Sequence, residues 1–252
     1  MIESTYTLPD GSQFFFIDSG PPKDATNYTT VMILHGSAFN GFSFEKVHKY
    51  FLKNNIRSVA WNRRDYRGSS ELTDADLEDL RLGRKDFLDG RAVQMAQFLV
   101  LFIEKEHIIK VNFEENTGGI ALMGWSMGVA SVMPFFSDPS LFGEETYNFL
   151  EPYIKNLILL DPPASSLGYP EICNQEIYDP WYDPEYQTPE EKFQGFCSWV
   201  STYYDHPNLS INSPTFDELK HSSQDATILK WTAEEFSLFY DEKAAVRSEY
   251  HM

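Results

Sequence analysis

The five-residue segment GWSMG at 124–128 constrains the fold of this chain more than any other segment. It follows an apolar, strand-like run at 120–123 and opens a run of small and apolar residues that favours a helix. A serine between a strand end and a helix start lies in a strained turn, and glycines flank it because neighbouring backbone leaves no room for a Cβ atom. The pattern therefore predicts a sharp turn that lifts the Ser126 hydroxyl clear of a sheet.

Two further segments also come directly after short strand-like runs. HGSA at 35–38 follows the apolar run at 30–34, and DYRGSS at 65–70 follows the run at 58–61. In this order the three segments resemble the α/β-hydrolase superfamily, whose members similarly show strand-HG-x-x, strand-D-x-R-G-x-S and strand-G-x-S-x-G-helix. The resemblance covers about residues 13–163.

The resemblance implies a role for each part of these segments. Ser126 would be the nucleophile, and the backbone N–H groups of Met127 and Ser37 would form the oxyanion hole. The N–H of Met127 would lie at a helix N-terminus, where the positive end of the helix dipole favours negative charge. We interpret His35 as a structural residue that fixes its loop rather than as a general base. No metal or organic cofactor is implied.

Hydrophobic periodicity predicts an α/β fold with a mostly parallel sheet and helices on its faces. After Pro163 the chain becomes rich in aromatic residues separated by prolines and acidic clusters. We therefore divide it into an α/β-hydrolase core at 1–163 and a helical, cap-like region at 164–252. The aromatic rings of that region either enclose an apolar substrate or form the region's own core, and the sequence favours neither. The predicted strands are 13–17, 30–34, 57–61, 120–123 and 153–160, and the predicted helices are 44–54, 87–108 and 127–136.

A serine nucleophile needs a base to accept its proton and an acid to orient that base, in the chain order Ser, Asp or Glu, His. Asp161 ends a strand-like run and is the candidate acid, although such an aspartate can also simply stabilise the following turn. His251 has the best chain order for the base, but it is the penultimate residue and termini fray. His206 and His221 lie in turn-like segments that are typical of surface histidines.

No apolar, strand-like run follows residue 164, so the last strands of the fold are predicted to be absent. Three explanations are open: a truncated form of a longer enzyme, a hydrolase-like protein that does not need the triad, or a rearranged base. We favour truncation because the segment 241–247 runs on without closing on a terminal strand or helix. The same reasoning predicts an exposed apolar edge at 154–160, through which the chain can self-associate.

The net charge of -18, from 38 acidic and 20 basic residues, argues against nucleic acid and anionic membranes as partners. No segment has the length of a membrane span and the N-terminus lacks a signal-peptide pattern, so we expect a cytoplasmic protein. Cys173 and Cys197 have no metal-ligand spacing and are interpreted as buried thiols.

The expected function is hydrolysis of an ester, lactone or thioester of an apolar small molecule through Ser126. Epoxide hydrolase and dehalogenase chemistry is disfavoured because it uses an aspartate at the elbow, whereas hydrolysis of a C–C bond stays open. The alternative is a truncated or catalytically inactive protein of the same fold that binds a small molecule or a partner, motivated by the missing base. Nucleotide binding is a weaker option, since neither G-x-G-x-x-G nor G-K-[ST] occurs.

Overall fold

The computed structural model of the protein contains a sheet of six strands. It describes residues 1–23, 25–169, 178–204, 208 and 223–251. The strands are β1 (Ile2–Thr7), β2 (Gln13–Asp18), β3 (Thr29–Leu34), β4 (Ile56–Trp61), β5 (Ile120–Trp125) and β6 (Ile154–Leu160). Their order across the sheet is β1-β2-β4-β3-β5-β6, in which β2 is antiparallel to β1 and to β4 and the other pairs are parallel. The predicted α/β class with a mostly parallel sheet is confirmed.

The core lies where helices cover both faces of the central strands. On one face, Phe98 and Phe102 of a long helix are fully buried, and Phe98 stacks on Trp61 with ring centroids 4.5 Å apart. On the other face, Val31 and Ile33 of β3 pack with Phe44. Because β3 is covered on both faces, its sequence is a continuous apolar run. The helices are α1 (Glu45–Lys53), α2 (Asp74–Arg81), α3 (Lys85–Glu106), α4 (Gly128–Ser137), α5 (Glu144–Leu150), α6 (Pro189–Val200), α7 (Ala233–Phe239) and α8 (Glu242–Arg247).

The segment 241–247 was expected not to close on a terminal helix, and this expectation is wrong. It forms α8, in which Ala244 and Ala245 are fully buried and which packs against α6. Two alanines let the helix backbone approach its neighbour closely, while Lys243 contacts the exposed carboxylate of Glu71 and Arg247 contacts the buried carboxylate of Asp65.

Strand β6 forms the edge of the sheet, and no strand follows it among the described residues. It pairs with β5, and its last residues, Ile158, Leu159 and Leu160, are 38 to 45% exposed. The predicted exposed apolar edge is confirmed.

The aromatic residues described after residue 177 mostly contact one another. Trp181 packs on Phe193 and Phe196 at centroid distances of 4.7 and 5.3 Å, and Trp231 packs on Phe239 at 5.0 Å. These contacts favour the reading that the rings form their own core. Cys197 of α6 lies in this core, 2% exposed, and burial raises the pKa of its thiol to about 12, which confirms a buried thiol. Cys173, His206 and His221 lie outside the described residues.

Candidate active site

Ser126 occupies the turn between β5 and α4. Its backbone is left-handed, with φ at +52°, a conformation that is costly for a residue with a Cβ atom. The turn is held from both sides, since the N–H of Ser126 donates to the carbonyl of Leu160 at 2.9 Å and its carbonyl accepts from the N–H of Val129 at 2.9 Å. The hydroxyl is thus presented at the carboxyl edge of the sheet, as the sequence predicts.

The neighbouring glycines are required by close backbone approach. A Cβ atom on Gly128 would lie 2.1 Å from the carbonyl oxygen of Leu34, and one on Gly124 would lie 2.7 Å from the Cα of Val129. Gly36, in the loop after β3, would place a Cβ atom 3.0 Å from that of Ser126. The absence of these side chains lets the loop after β3 lie directly beside the serine.

Two backbone donors flank the serine without an internal partner. Within the part of the chain that the structure describes, the N–H groups of Met127 and Ser37 donate no hydrogen bond. The Ser37 hydroxyl, in contrast, donates to Oε2 of Glu249 at 2.6 Å. The arrangement leaves both N–H groups free for an acceptor such as a carbonyl oxygen that gains negative charge.

His35 fixes the loop that carries Ser37. Its side chain is fully buried, Nδ1 contacts the carbonyl oxygen of Gly36 at 2.8 Å, and Nε2 accepts the backbone N–H of Arg63 at 3.1 Å. Burial holds the pKa of this imidazole well below its usual value. Both nitrogens are engaged and the ring is neutral, so the interpretation of His35 as structural is confirmed.

Tyr66, from the DYRGSS segment, supports the same loop. Its ring lies edge-on to His35 at a centroid distance of 4.2 Å, and its hydroxyl accepts the N–H of Ala38 at 2.9 Å. Ala38 has a left-handed backbone, with φ at +65°, and it is fully buried, so its N–H needs an acceptor inside the protein. The second motif therefore acts by positioning the first.

A buried ion pair joins the C-terminal segment to the site. Arg63 contacts Oε1 of Glu249 through Nη1 at 2.6 Å and donates from Nη2 to the carbonyl of Gly36 at 2.9 Å. The two side chains are 10% and 2% exposed. With Ser37 also bonded to Glu249, the carboxylate ties the C-terminus to the loop beside Ser126.

Asp161 follows β6 directly beside the elbow. Because Trp125 pairs with Leu160, Ser126 and Asp161 are the first residues beyond two neighbouring parallel strands. Asp161 also has a left-handed backbone, with φ at +49°, and its side chain is exposed. Among the described residues its carboxylate makes no hydrogen bond.

His251 and Met127 line the same cavity, of about 240 Å³, whose walls also include Phe87, Ser165 and Ser166. Burial and the charge of Arg81 lower the pKa of His251. No hydrogen bond joins Ser126 to His251 or to Asp161 in the described part of the chain.

Comparisons with known proteins bear on the fold of this chain. No protein-family model and no curated protein matches the sequence. The solved structure of a "putative aryl esterase" from Burkholderia cenocepacia is similar over 98% of this chain and 72% of that chain, with a TM-score of 0.55 and 18% identity. The chain has the α/β-hydrolase fold.

Two other solved structures are similar at lower scores. An esterase from Exiguobacterium antarcticum has a TM-score of 0.48 and 18% identity, over 80% of this chain and 63% of that chain. An epoxide hydrolase of the α/β-hydrolase superfamily from hot-environment metagenomes has a TM-score of 0.49 and 14% identity, over 100% of this chain and 70% of that chain. The chain spans about two thirds of the length of these α/β-hydrolase structures.

Sequence reasoning missed the residues that position the candidate site. Tyr66 was read only as part of a motif, and neither Arg63 nor Glu249 was singled out. Arg63 and Glu249 lie far apart in the sequence, so no local spacing could reveal their contact. Among the described residues, no three His, Cys, Asp or Glu side chains form a group that could hold a metal ion, and no helix could span a membrane.

Proposed function

We propose that the protein is a serine hydrolase that cleaves an ester, lactone or thioester of an apolar small molecule through an acyl intermediate on Ser126. The observation that carries the proposal is the elbow itself. Ser126 is held in a strained left-handed turn with the free N–H groups of Met127 and Ser37 beside it. A fold that only needed a strand-to-helix turn would place glycine at such a position.

The reaction would proceed in two halves. The Ser126 hydroxyl oxygen attacks the carbonyl carbon and loses its proton to a base, and the oxyanion accepts hydrogen bonds from the Met127 and Ser37 N–H groups. The bond to the leaving alcohol or thiol then breaks as that group takes the proton from the base. Water next attacks the acyl-serine carbonyl, the same base takes its proton, and the acid is released while Ser126 regains its hydrogen.

His251 is the proposed base and Asp161 the proposed acid. His251 lines the cavity that contains Met127, and Asp161 leaves β6 at the level at which Ser126 leaves β5. Catalytic hydrogen bonds are often long before substrate binds, so this proposal requires the His251 ring to approach Ser126 in the complex.

The apolar substrate class rests on the cavity beside Met127. Leu80, Phe87 and Leu88 supply apolar walls. The solved structure with a TM-score of 0.55 is described as a "putative aryl esterase", and that description supports the same reaction class for this chain.

Labelling with a fluorophosphonate probe tests the nucleophile. The Ser126 oxygen would displace fluoride and form a covalent bond to phosphorus, which intact-mass and peptide mass spectrometry detect. Ser126→Ala should abolish labelling, whereas Ser140→Ala, at an exposed turn between α4 and α5, should label like the native protein. A folded native protein without an adduct on Ser126 would exclude the enzyme reading for this chain.

The base is tested by the rate of labelling. His251→Asn should slow it by at least about a hundredfold if His251 takes the Ser126 proton. Unchanged labelling in this variant, with loss in His206→Asn or His221→Asn, would assign the base to one of those residues instead.

A non-catalytic binding protein is the second candidate function. It is favoured by the absence of a hydrogen bond between Ser126 and a base in the described residues. Under this alternative the protein binds ester analogues reversibly but neither labels with the probe nor releases alcohol from p-nitrophenyl esters.

A further inference from the structure

The peptide unit between Gly36 and Ser37 carries the carbonyl oxygen of Gly36 and the N–H of Ser37. This peptide bond is trans. Because a trans peptide is planar, its carbonyl and its N–H point in opposite directions. The contacts that hold the Gly36 carbonyl therefore also set the direction of the Ser37 N–H, which is one of the two proposed oxyanion donors.

Two buried side chains hold the Gly36 carbonyl oxygen. Arg63 donates to it from Nη2 at 2.9 Å, and Nδ1 of His35 lies 2.8 Å from it. Because Nε2 of the neutral His35 ring accepts the N–H of Arg63, the proton is on Nδ1, which donates to the carbonyl. Both lone pairs of this oxygen are thus engaged, and the Ser37 N–H points to the opposite side of the peptide.

Glu249 closes a ring of contacts around the same peptide. Its Oε1 contacts Nη1 of Arg63, and its Oε2 accepts the Ser37 hydroxyl, both at 2.6 Å. The planar guanidinium of Arg63 presents Nη1 to this carboxylate and Nη2 to the Gly36 carbonyl at the same time. The peptide is therefore tied through its carbonyl and through the Ser37 side chain, and both ties lead to Glu249.

These contacts are shielded from water. The side chains of Arg63 and Glu249 are 10% and 2% exposed, and His35 is fully buried. Burial alone would lower the pKa of Arg63, but the charge of Glu249 raises it above its usual value, so the guanidinium stays charged. Hydrogen bonds to charged groups are stronger than neutral ones, and a site closed to water strengthens them further. The ring can thus hold the peptide against rotation.

The orientation of this peptide matters because Ser126 lies beside it. A Cβ atom on Gly36 would lie 3.0 Å from the Cβ and 3.5 Å from the hydroxyl oxygen of Ser126. On the oxyanion assignment of the proposed function, a rotated peptide would replace the Ser37 N–H by the Gly36 carbonyl oxygen. That oxygen would repel an oxyanion instead of binding it.

We propose that Arg63 and Glu249 are positioning residues that hold the Gly36–Ser37 peptide in the orientation that offers the Ser37 N–H to the oxyanion. This inference rests on the proposed hydrolase function. It makes that function depend on a buried ion pair that acts through the peptide and not through contact with substrate. It also makes the oxyanion hole depend on the segment after α8, since Glu249 begins the turn at 249–251.

Steady-state kinetics with p-nitrophenyl butyrate test the proposal. Arg63→Lys keeps a positive charge beside Glu249, but a single ammonium cannot replace the planar group that holds both oxygens. Its kcat should fall at least about tenfold and its KM should stay within about twofold, because an oxyanion donor acts in the transition state.

Two serine variants accompany this measurement. Ser37→Ala keeps its N–H and both charges but loses one tie to Glu249, so its kcat should fall about threefold to fivefold with little change in KM. Ser43→Ala is the matched control. The Ser43 hydroxyl is also half-buried and donates to the carbonyl of Asn40 at 2.7 Å, away from the Gly36–Ser37 peptide, so native kinetics are expected.

Inhibition by an alkyl trifluoromethyl ketone separates a positioning role from a general loss of structure. The Ser126 oxygen adds to the ketone carbon, the hydroxyl proton passes to the base, and the ketone oxygen becomes an oxyanion without any group leaving. Arg63→Lys should weaken this inhibitor at least about tenfold, but it should weaken the corresponding trifluoromethyl alcohol, which forms no oxyanion, by less than about twofold. Urea denaturation checks that the variant is folded.

Native kinetics in both Arg63→Lys and Ser37→Ala, or equal weakening of the ketone and the alcohol, would overturn the inference and leave the proposed hydrolysis intact. If Arg63→Lys does not fold, Ser37→Ala carries the same measurements. A folded native protein that neither hydrolyses the ester nor labels with the fluorophosphonate would overturn the proposed function and the inference together. The two failures are distinguishable, because only the second removes activity from the native protein.

Discussion

The two strands beside β5 build the two sides of the candidate site very differently. On the β3 side, the loop with Ser37 is held by buried His35, by Tyr66 and by the ion pair of Arg63 and Glu249. On the β6 side, Asp161 follows an edge strand whose last residues are 38 to 45% exposed. An interior strand has a neighbour on each side, whereas an edge strand has only one, so its outgoing loop is positioned by fewer contacts. The loop that carries the proposed oxyanion donor Ser37 is therefore positioned by more contacts than the loop that carries Asp161, the proposed acid.

The largest expected effect on stability comes from substituting Glu249, which holds the loop after β3. Glu249→Gln takes the counter-charge away from the buried Arg63 guanidinium and should lower the free energy of unfolding by about 3–5 kcal/mol. Urea denaturation followed by circular dichroism measures this. Glu242→Gln, an exposed change of the same chemistry on α8, should alter it by less than about 0.5 kcal/mol. Equal effects of the two variants would mean that the pair does not hold the loop.

Low pH should destabilise the folded protein through two buried histidines, His48 and His35. His48 of α1 is fully buried against the Ser58 hydroxyl, and burial lowers its pKa to about 4. Below pH 6.5 His48 is protonated in the unfolded chain, whereas in the folded protein it stays neutral until the pH approaches 4. The free energy of unfolding therefore falls as the pH falls from 6.5 to 4. His48 alone should account for about 3 kcal/mol over that window.

His35, with its strongly lowered pKa, should add to this acid sensitivity in the same direction. Urea midpoints at a series of pH values measure the slope. His48→Gln should show a shallower slope below pH 6.5, and an unchanged slope would contradict the assignment.

Backbone strain is common to both sides and should give a smaller effect. Ser126→Gly and Ser126→Ala both remove the hydroxyl, but only glycine relieves the left-handed backbone, so the glycine variant should be more stable by about 1 kcal/mol. The Asp161→Gly variant should be more stable than Asp161→Ala by a similar amount, since the φ angle of Asp161 is nearly the same as that of Ser126. Thermal melting compares the pairs, and a difference at only one position would show that the other turn relaxes in solution.

The smallest effect on stability is expected at the β6 edge. We predict that the native chain self-associates through this edge and that Leu159→Lys reduces the association while changing the free energy of unfolding by less than about 0.5 kcal/mol. Tyr50→Lys, on the exposed face of α1, should leave association unchanged. Sedimentation velocity over a range of concentrations measures this, and a clean monomer of the native chain would contradict the prediction.

The sequence predicted the parts of the fold that local pattern determines. Buried strands such as β3 and β5 are continuous apolar runs, and the glycines around Ser126 mark a turn with close backbone approach. Strand β1 was missed because it lies at the opposite edge of the sheet with most of its side chains exposed, so its sequence alternates weakly. An edge strand obtains its conformation mainly from its partner.

Among the other features that sequence reasoning missed, some have a local sequence signal and some cannot have one. Helices α2, α6 and α7 each begin with a threonine followed three residues later by an acidic residue, and all three form capping boxes. These starts were readable in the sequence. The contact of Glu249 with Arg63 and Ser37, in contrast, joins distant parts of the chain and depends on how α8 packs.

Because Cys197 is buried, the reactivity of its thiol reports how often the surrounding core opens. With its thiol 2% exposed and its pKa raised to about 12, the residue can react with an alkylating reagent only when the aromatic core around α6 opens. In a Cys173→Ser background, the alkylation rate of Cys197 therefore counts opening events directly. A substrate or partner that stabilises this region would lower the alkylation rate of Cys197, and this can be measured without a catalytic assay.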